Sequence, residues 1–188
     1  MKKNNIVYVL KIALPLLLIC AVTVAVLAAI NALTAPVIAA NEQEKLDNNM
    51  TAFYGEGIEA SIYENDSFDA SVKKAYQIKK DGQLIGCCFD VTGSGAYKGK
   101  IEVLVALDDK GVIVGISNVK NGETPSIGGR VLADGSVKDQ YVGATADNLP
   151  PFSEVSISGA TRTSTALQNA VNNALAAYKI MAKGGAKA

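Results

Sequence analysis

Residues 75–91 read AYQIKKDGQLIGCCFDV, in which two apolar runs flank Asp81-Gly82. An Asp-Gly pair between strand-like runs indicates a β-hairpin, because both residues tolerate the positive φ of a two-residue turn. A second pair of runs, residues 101–107 and 112–119, flanks Asp109-Lys110-Gly111. The sequence therefore predicts two antiparallel β-hairpins in succession.

Two glycine-containing loops accompany these hairpins. Residues 93–99, GSGAYKG, lie between the hairpins, and residues 121–129, NGETPSIGG, follow the second one. Glycine permits the backbone conformations that turns require, so both stretches are predicted to be loops.

The clearest helical pattern lies near the C-terminus. Apolar residues recur there at positions i, i+3, i+4, i+7, i+8 and i+11: Leu167, Ala170, Val171, Ala174, Leu175 and Tyr178. Thr165, with Gln168 three residues later, predicts a capping box at the helix start, and Gly184-Gly185 predicts its end. The expected fold is α+β, with this helix packed on a sheet of antiparallel hairpins.

An uncharged apolar run from Ile12 to Ile30 precedes the domain and is long enough to cross a bilayer. Lys2, Lys3 and Lys11 stand before it, which predicts a cytoplasmic N-terminus and an extracytoplasmic domain. A cleaved signal peptide is the alternative, but the run is longer than a typical signal core.

The predicted division has three parts. Residues 1–35 form the cytoplasmic N-terminus and a single transmembrane anchor. Residues 36–60 form a helical linker, and residues 61–188 form one extracytoplasmic domain. The protein is expected in the cell membrane, with the lipid bilayer as one of its partners.

Composition excludes several functions. The chain has no His, which removes the usual general base and imidazole metal ligands. Of its 18 basic residues three precede the apolar run, leaving 15 against 18 acidic ones, so no basic surface for nucleic acid is expected. Cys87 and Cys88 are predicted to be buried thiols on opposite strand faces, with a vicinal disulfide or a redox site as the alternative. No metal site is predicted.

Residues 156–165, SISGATRTST, concentrate hydroxyl groups, a Gly and an Arg before the C-terminal helix. Unpaired N–H groups and the positive end of the helix dipole favour a phosphate at such a place, and Arg162 could pair with an anion. The simpler interpretation is an ordinary hydroxyl-rich helix cap.

The order of residues in this stretch resembles a known motif. Residues 158–161, SGAT, followed by Arg162-Thr163-Ser164 and a helix, resemble the flavinylation motif of a family of FMN-binding domains. The same family has a glycine-tyrosine turn similar to residues 95–101 and an E-T-P-G-L-G loop similar to residues 123–128, ETPSIG. With the single anchor, the likeness covers nearly the whole chain. It resembles the G subunit of Rnf (Rsx) ion-translocating ferredoxin:NAD oxidoreductase complexes.

The resemblance implies a covalent cofactor. FMN would be joined through its phosphate to the hydroxyl of Thr161, a phosphoester made by a separate FAD-dependent flavin transferase. Other residues would surround the phosphate, namely Ser158, Gly159, Ala160 and Thr163. Further residues would lie near the flavin ring, namely Glu123, Thr124, Pro125, Ile127 and Gly128.

One feature departs from the family pattern, and a second motif competes with the first. An acid usually stands six residues before the acceptor Thr, where this chain has Val155 with Glu154 beside it. A second Gly-Ala-Thr, residues 143–145, does have Asp139 at that distance, but no helix pattern follows it. Thr145 is therefore predicted to be a loop residue.

The function that the resemblance implies is electron transfer on FMN. The chain would be the flavin-bearing subunit of a translocase that couples ferredoxin:NAD oxidoreduction to sodium or proton transport, with other membrane subunits as partners. One alternative is the C subunit of the sodium-pumping NADH:quinone reductase, which shares the motif. Another is a membrane-anchored interaction module without redox chemistry.

Overall fold

The computed structural model describes residues 2–133 and 135–185, with side chains described for 11–133 and 135–183. The chain divides after Glu44 into two compact units. Helix α1 covers Lys2–Tyr54, so its last turns belong to the second unit.

The first unit is helical from Lys2, and its apolar side chains from residue 11 onward are exposed. Its two threonine side chains are satisfied locally, because the Thr23 hydroxyl donates to the Ile19 carbonyl at 2.7 Å and that of Thr34 donates to the Ile30 carbonyl at 3.0 Å. In the part of the chain that the structure describes, this is the one helix long and apolar enough to cross a membrane. The chain thus has one N-terminal candidate membrane helix.

The second unit contains an antiparallel sheet with strand order β1-β2-β3-β4-β5. The strands are β1 (Ile58–Ile62), β2 (Val72–Lys80), β3 (Gln83–Ala96), β4 (Gly99–Asp108) and β5 (Ile113–Lys120). Both predicted hairpins are present, as β2–β3 and β4–β5. The first closes through Asp81 and Gly82 at φ values of 52° and 77°, the conformation expected of an Asp-Gly turn.

Strand β1 had no counterpart in the sequence prediction. It pairs only with β2 at the sheet edge, and its residues are half-buried or exposed. Its sequence, IEASI, does alternate apolar and polar residues, so the signal was present although the sequence prediction did not use it. Its first three residues fall in the stretch predicted as helical linker.

One face of the sheet packs against helix α2, Thr161–Gly185. The apolar positions predicted for this helix meet Phe89 and Val91 of β3 and Val103 and Val105 of β4 in one buried cluster. The predicted α+β fold is therefore confirmed. Helix α2 begins four residues before the predicted start, because the Ala160 carbonyl already accepts the Ser164 N–H at 3.0 Å. Thr165 is thus an internal residue, and its hydroxyl donates back to the Thr161 carbonyl.

The other face is covered by the last turns of α1. Leu46 and Met50 are buried there against the second cluster of sheet residues. Tyr54, at the end of the helix, places its hydroxyl 2.9 Å from the Cys87 carbonyl of β3 and 2.7 Å from the Leu107 carbonyl of β4. The helix end is therefore bonded to two central strands.

Cys87 and Cys88 are free, buried and on opposite faces, each in a different apolar cluster. Burial raises the pKa of the Cys88 thiol to about 12 and also raises that of Cys87. Both are therefore protonated at neutral pH, which agrees with structural thiols rather than reactive ones.

Helix α2 approaches β3 closely at Gly93. A Cβ atom at this position would collide with the Ala166 carbonyl oxygen and lie 2.8 Å from its carbon. Both groups are backbone, so neither can rotate away. The distance between the helix start and the strand thus depends on a glycine here.

Gly93→Ala is expected to destabilise the domain by about 1–3 kcal/mol, because the helix must move off the sheet. Gly122→Ala is the matched control, since its Cβ would make only an ordinary 3.8 Å contact with Lys98. Thermal unfolding of the purified protein measures both. Equal melting temperatures for the two variants would contradict the close approach.

Asp90 on β3 is only 3% exposed, and its Oδ1 has no hydrogen-bond partner within the described side chains. Burial, and then the nearby Glu102 carboxyl, raise the pKa of Asp90 to about 6, against the opposing effect of Lys73 and Lys74. Glu102 itself pairs with Lys73 at 2.5 Å. The ordinary pKa is 3.8, so the folded state holds this proton more tightly than the unfolded chain.

Asp90→Asn removes this titration. Relative to the variant, the wild-type free energy of unfolding is expected to fall as pH rises from about 4 to about 6, because the proton preferred by the folded state is lost. The pKa difference corresponds to roughly 3 kcal/mol at most. Thermal unfolding of both proteins across this range measures the difference in their free energies of unfolding. A difference that stays constant or rises with pH would contradict the raised pKa of Asp90.

Candidate functional site

A cleft of about 420 Å³ opens at the end of the sheet where β3 turns into β4 and β5 ends. Three segments line it: the β3–β4 turn, the loop after β5 and the start of α2. The lining residues are Tyr97, Glu123, Thr124, Ile127, Gly128, Gly159, Ala160, Thr161, Arg162 and Thr163.

The carboxylate of Glu123 joins these segments. It is 8% exposed. Its Oε1 accepts the Lys98 N–H of the β3–β4 turn at 2.7 Å, and its Oε2 accepts the hydroxyl of Thr163 on α2 at 2.9 Å. Hydrogen bonds to an ionised group are stronger than neutral ones, so this buried carboxylate fixes both neighbours.

Gly128 allows the loop to come this close. A Cβ atom there would collide with Oε2 of Glu123 and lie 2.7 Å from Oγ1 of Thr163. The loop is also closed on itself, because the N–H groups of Ile127 and Gly129 both donate to the Thr124 carbonyl, at 3.0 and 2.9 Å. Only a glycine fits between the loop and the carboxylate.

Thr161 is the first residue of α2, and its side chain is exposed at the cleft. A turn precedes it, in which the Ala160 N–H donates to the Ile157 carbonyl at 2.9 Å and Gly159 has φ of 82°. Because Ala160 has no polar side chain, it cannot cap the first N–H groups of the helix. These groups and the Thr161 hydroxyl are available to a ligand of the cleft.

Arg162 and Tyr97 also line the cleft. The sequence predicts Arg162 only as a partner for an anion, and neither residue is among the predicted binding residues. The Nε–H of Arg162 donates to the Gly95 carbonyl at 3.3 Å. Tyr97 is 72% exposed, which is unusual for an aromatic side chain, and it lines the same cleft as Ile127, which is 53% exposed. Sequence signals existed for both, since Arg162 follows the acceptor Thr and Tyr97 lies in the glycine-tyrosine turn.

Eight of the ten predicted binding residues line this cleft: Glu123, Thr124, Ile127, Gly128, Gly159, Ala160, Thr161 and Thr163. Ser158 and Pro125 are exposed neighbours in the same two segments and lie outside the lining. The individual roles of all ten stay predictions.

Thr145 lies elsewhere, in a loop. Its N–H and hydroxyl both donate to Oδ1 of Asn148, at 2.5 and 2.8 Å. The preceding residues pair with Ile113 at the beginning of β5, whereas the cleft loop follows the end of that strand. The hydroxyl of Thr145 is thus held within its own loop and away from the cleft.

Val155, which stands where the family motif usually has an acid, is fully buried in the main cluster, and the adjacent Glu154 is exposed.

The cleft has the chemical features that FMN requires. Tyr97 and Ile127 offer exposed apolar surface for a flat ring, while the uncapped helix start and Arg162 offer N–H donors and positive charge for a phosphate. Thr161 adds an exposed hydroxyl at the phosphate end. The residues present therefore fit the group.

Comparisons with known proteins agree with this assignment. A family model described as FMN-binding domain matches residues 96–176, a range that contains every lining residue of the cleft. A second, described as RnfG N-terminal region, matches residues 1–52.

Several curated relatives are similar to the chain. The G subunit of the ion-translocating oxidoreductase complex of Haemophilus influenzae (strain PittEE) is 30% identical over 89 residues, which are 47% of this chain and 40% of that protein. The G subunit of the Na(+)-translocating ferredoxin:NAD(+) oxidoreductase complex of Acetobacterium woodii is 27% identical over an alignment of 199 residues, covering 93% and 94% of the two chains. The proton-translocating counterpart of Clostridium ljungdahlii is 28% identical over 165 residues, or 83% and 84%.

The first of these alignments spans only about 40% of the relative's length, whereas the second spans nearly all of it. Fold, cleft and family match together define a protein with an FMN-binding domain. The N-terminal match adds a second likeness, because the chain resembles the G subunits of ion-translocating oxidoreductase complexes.

Glu123→Ala is expected to open the cleft, since the buried Thr163 hydroxyl and the Lys98 N–H lose their acceptor. The cost is roughly 1–3 kcal/mol. Hydrogen–deuterium exchange should show loss of protection at the Lys98 amide, and thermal unfolding should show a lower melting temperature. Glu154→Ala, which removes an exposed carboxylate, serves as the control. Unchanged exchange at Lys98 in Glu123→Ala would mean that the carboxylate does not hold the turn.

Proposed function

We propose that the chain carries FMN covalently on Thr161 and transfers electrons as the G subunit of an Rnf-type complex. The complex would couple ferredoxin:NAD oxidoreduction to translocation of sodium ions or protons. The observation that supports this most strongly is the exposed hydroxyl of Thr161 at a cleft inside the matched FMN-binding domain.

Attachment requires a second protein, an FAD-dependent flavin transferase. The Thr161 oxygen loses its proton and forms a bond to the FMN phosphorus, while the phosphoanhydride bond of FAD breaks and AMP leaves. An exposed hydroxyl at the first residue of a helix suits this reaction, because the transferase must reach it. Thr145 is a poorer acceptor, since its hydroxyl is already bonded to Asn148 at 2.8 Å.

Bound FMN supplies the redox chemistry, so the domain needs no His or reactive thiol of its own. The task of the protein is to hold and orient the group. Gly159, Ala160 and Thr163, with Ser158 beside them, would surround the phosphate at the helix start. The loop residues Glu123, Thr124, Pro125, Ile127 and Gly128 would border the ring. A covalent link keeps the flavin at high local concentration without tight binding.

The proposed setting is the cell membrane. Helix α1 would anchor the chain in the bilayer by a single pass, with the N-terminus cytoplasmic and the domain outside, as the lysines before the apolar run favour. The remaining membrane subunits of the Rnf complex are the proposed partners. The oxidoreductase activity would belong to the whole assembly, to which this chain contributes the flavin.

The test is Thr161→Val, in cells that also make the transferase. Valine matches threonine in shape and lacks the acceptor oxygen, so we expect a folded protein without covalent flavin, at a stability cost of about 0.5–2 kcal/mol. Intact mass and in-gel flavin fluorescence measure the adduct, and ferredoxin:NAD activity in membranes measures electron transfer. Thr145→Val is the matched control and should keep both.

The outcomes separate the alternatives. Wild-type protein without an adduct would leave only a membrane-anchored interaction module. An adduct on Thr161 in membranes that reduce quinone with NADH, but do not couple ferredoxin to NAD, would favour the C subunit of the sodium-pumping reductase. Loss of the adduct in Thr145→Val but not in Thr161→Val would move the acceptor to the second motif.

A further inference from the structure

Arg162 is the one cationic residue among the described residues that line the cleft. It directly follows Thr161, in the first turn of α2, and its side chain is exposed. The anionic residue of the cleft, Glu123, already accepts hydrogen bonds at both oxygens, from Lys98 and Thr163.

The guanidinium of Arg162 is fixed in place by a neutral group. Its Nε–H donates to the Gly95 carbonyl at 3.3 Å, and no carboxylate pairs with it within the described residues. A guanidinium has five N–H donors, so four remain for another acceptor. The hydrogen bond to Gly95 orients these donors, and because the carbonyl is neutral it does not neutralise the charge of the guanidinium.

The position is electrostatically unfavourable for a cation. The first turn of a helix carries the positive end of the dipole, where acidic side chains are stabilising and basic ones are not. The first turn of α2 contains no acidic residue that could compensate. A bound anion would turn this repulsion into a net attraction, because the N–H groups and the guanidinium would both attract the negative charge between them.

We propose that Arg162 is a positioning residue that holds the phosphate of the FMN attached to Thr161. This inference rests on the proposed function. The planar fork of arginine matches two phosphate oxygens, which lysine cannot do. Arg162 therefore restrains the flavin at its attached end and balances the charge of the phosphodiester.

The proposal predicts opposite effects with and without flavin. In protein made without the transferase, Arg162→Gln relieves a repulsion, so the melting temperature stays the same or rises. In flavinylated protein the same change removes an attraction, and the melting temperature falls by about 2–4 °C for each kcal/mol lost. The gain in melting temperature on flavinylation is therefore smaller in the variant than in the wild type.

Phosphorus NMR gives a second readout, because FMN contains one phosphorus atom and the polypeptide none. We expect Arg162→Gln to shift and narrow the ³¹P resonance of the flavinylated protein, as the phosphate becomes more mobile. Arg162→Lys, which keeps the charge and loses the fork, should give an intermediate spectrum. Arg130→Gln removes an exposed arginine outside the cleft lining and should leave the resonance unchanged.

Intact mass first establishes the adduct in every protein, which separates this inference from the proposed function. Wild-type protein without an adduct overturns both. An adduct in Arg162→Gln with an unchanged ³¹P resonance and an unchanged gain in melting temperature overturns the role of Arg162 alone. Failure of Arg162→Gln to accept the adduct, while Arg162→Lys accepts it, supports a charge requirement at the phosphate.

Discussion

The cleft depends on a single buried carboxylate. Glu123 is bonded to a turn 25 residues before it and to a helix 40 residues after it, so its two oxygens hold together segments that share no local sequence. A buried charge is tolerated only where hydrogen bonds compensate for lost water, and the Lys98 N–H and Thr163 hydroxyl do so here. Gly128 leaves the space in which this can happen. The hydrogen bonds that compensate the buried charge are therefore the same ones that hold the segments of the cleft together.

Much of the fold could be predicted because its hairpins and its C-terminal helix depend on residues that are close together in the sequence. The Asp81-Gly82 turn follows from the residues that tolerate positive φ, and the apolar face of α2 follows from a period of 3.6 residues. The start of α2 was predicted four residues late, because Thr165 looks like a helix cap but lies inside the helix. The residue before Thr161 is Ala160, which has no polar side chain and so gives no capping signal. Strand β1 does alternate apolar and polar residues, but this five-residue signal was overlooked beside the predicted helical linker.

The site could be predicted only as separate pieces. The resemblance supplied residues 123–128 and 158–163, but their proximity arises from the strand order, which brings the β3–β4 turn and the end of β5 to the same end of the sheet. Sequence reasoning does not show that Tyr97 and Ile127 line one cleft, nor that Arg162 donates a hydrogen bond to Gly95. These contacts join positions far apart in the chain, so the local periodicity of the sequence cannot predict them. The roles assigned to the predicted residues remain predictions.

The hydroxyl of Tyr54 has a mechanical consequence. It ends helix α1 on the carbonyls of two neighbouring central strands, β3 and β4. Tension that arrives along the chain at this residue would therefore be shared by the middle of the sheet, instead of peeling the short edge strand β1 from β2 one bond at a time. Bonds loaded together resist force better than bonds loaded in sequence, so the Tyr54 contact would protect the edge strand β1 against force that arrives through α1.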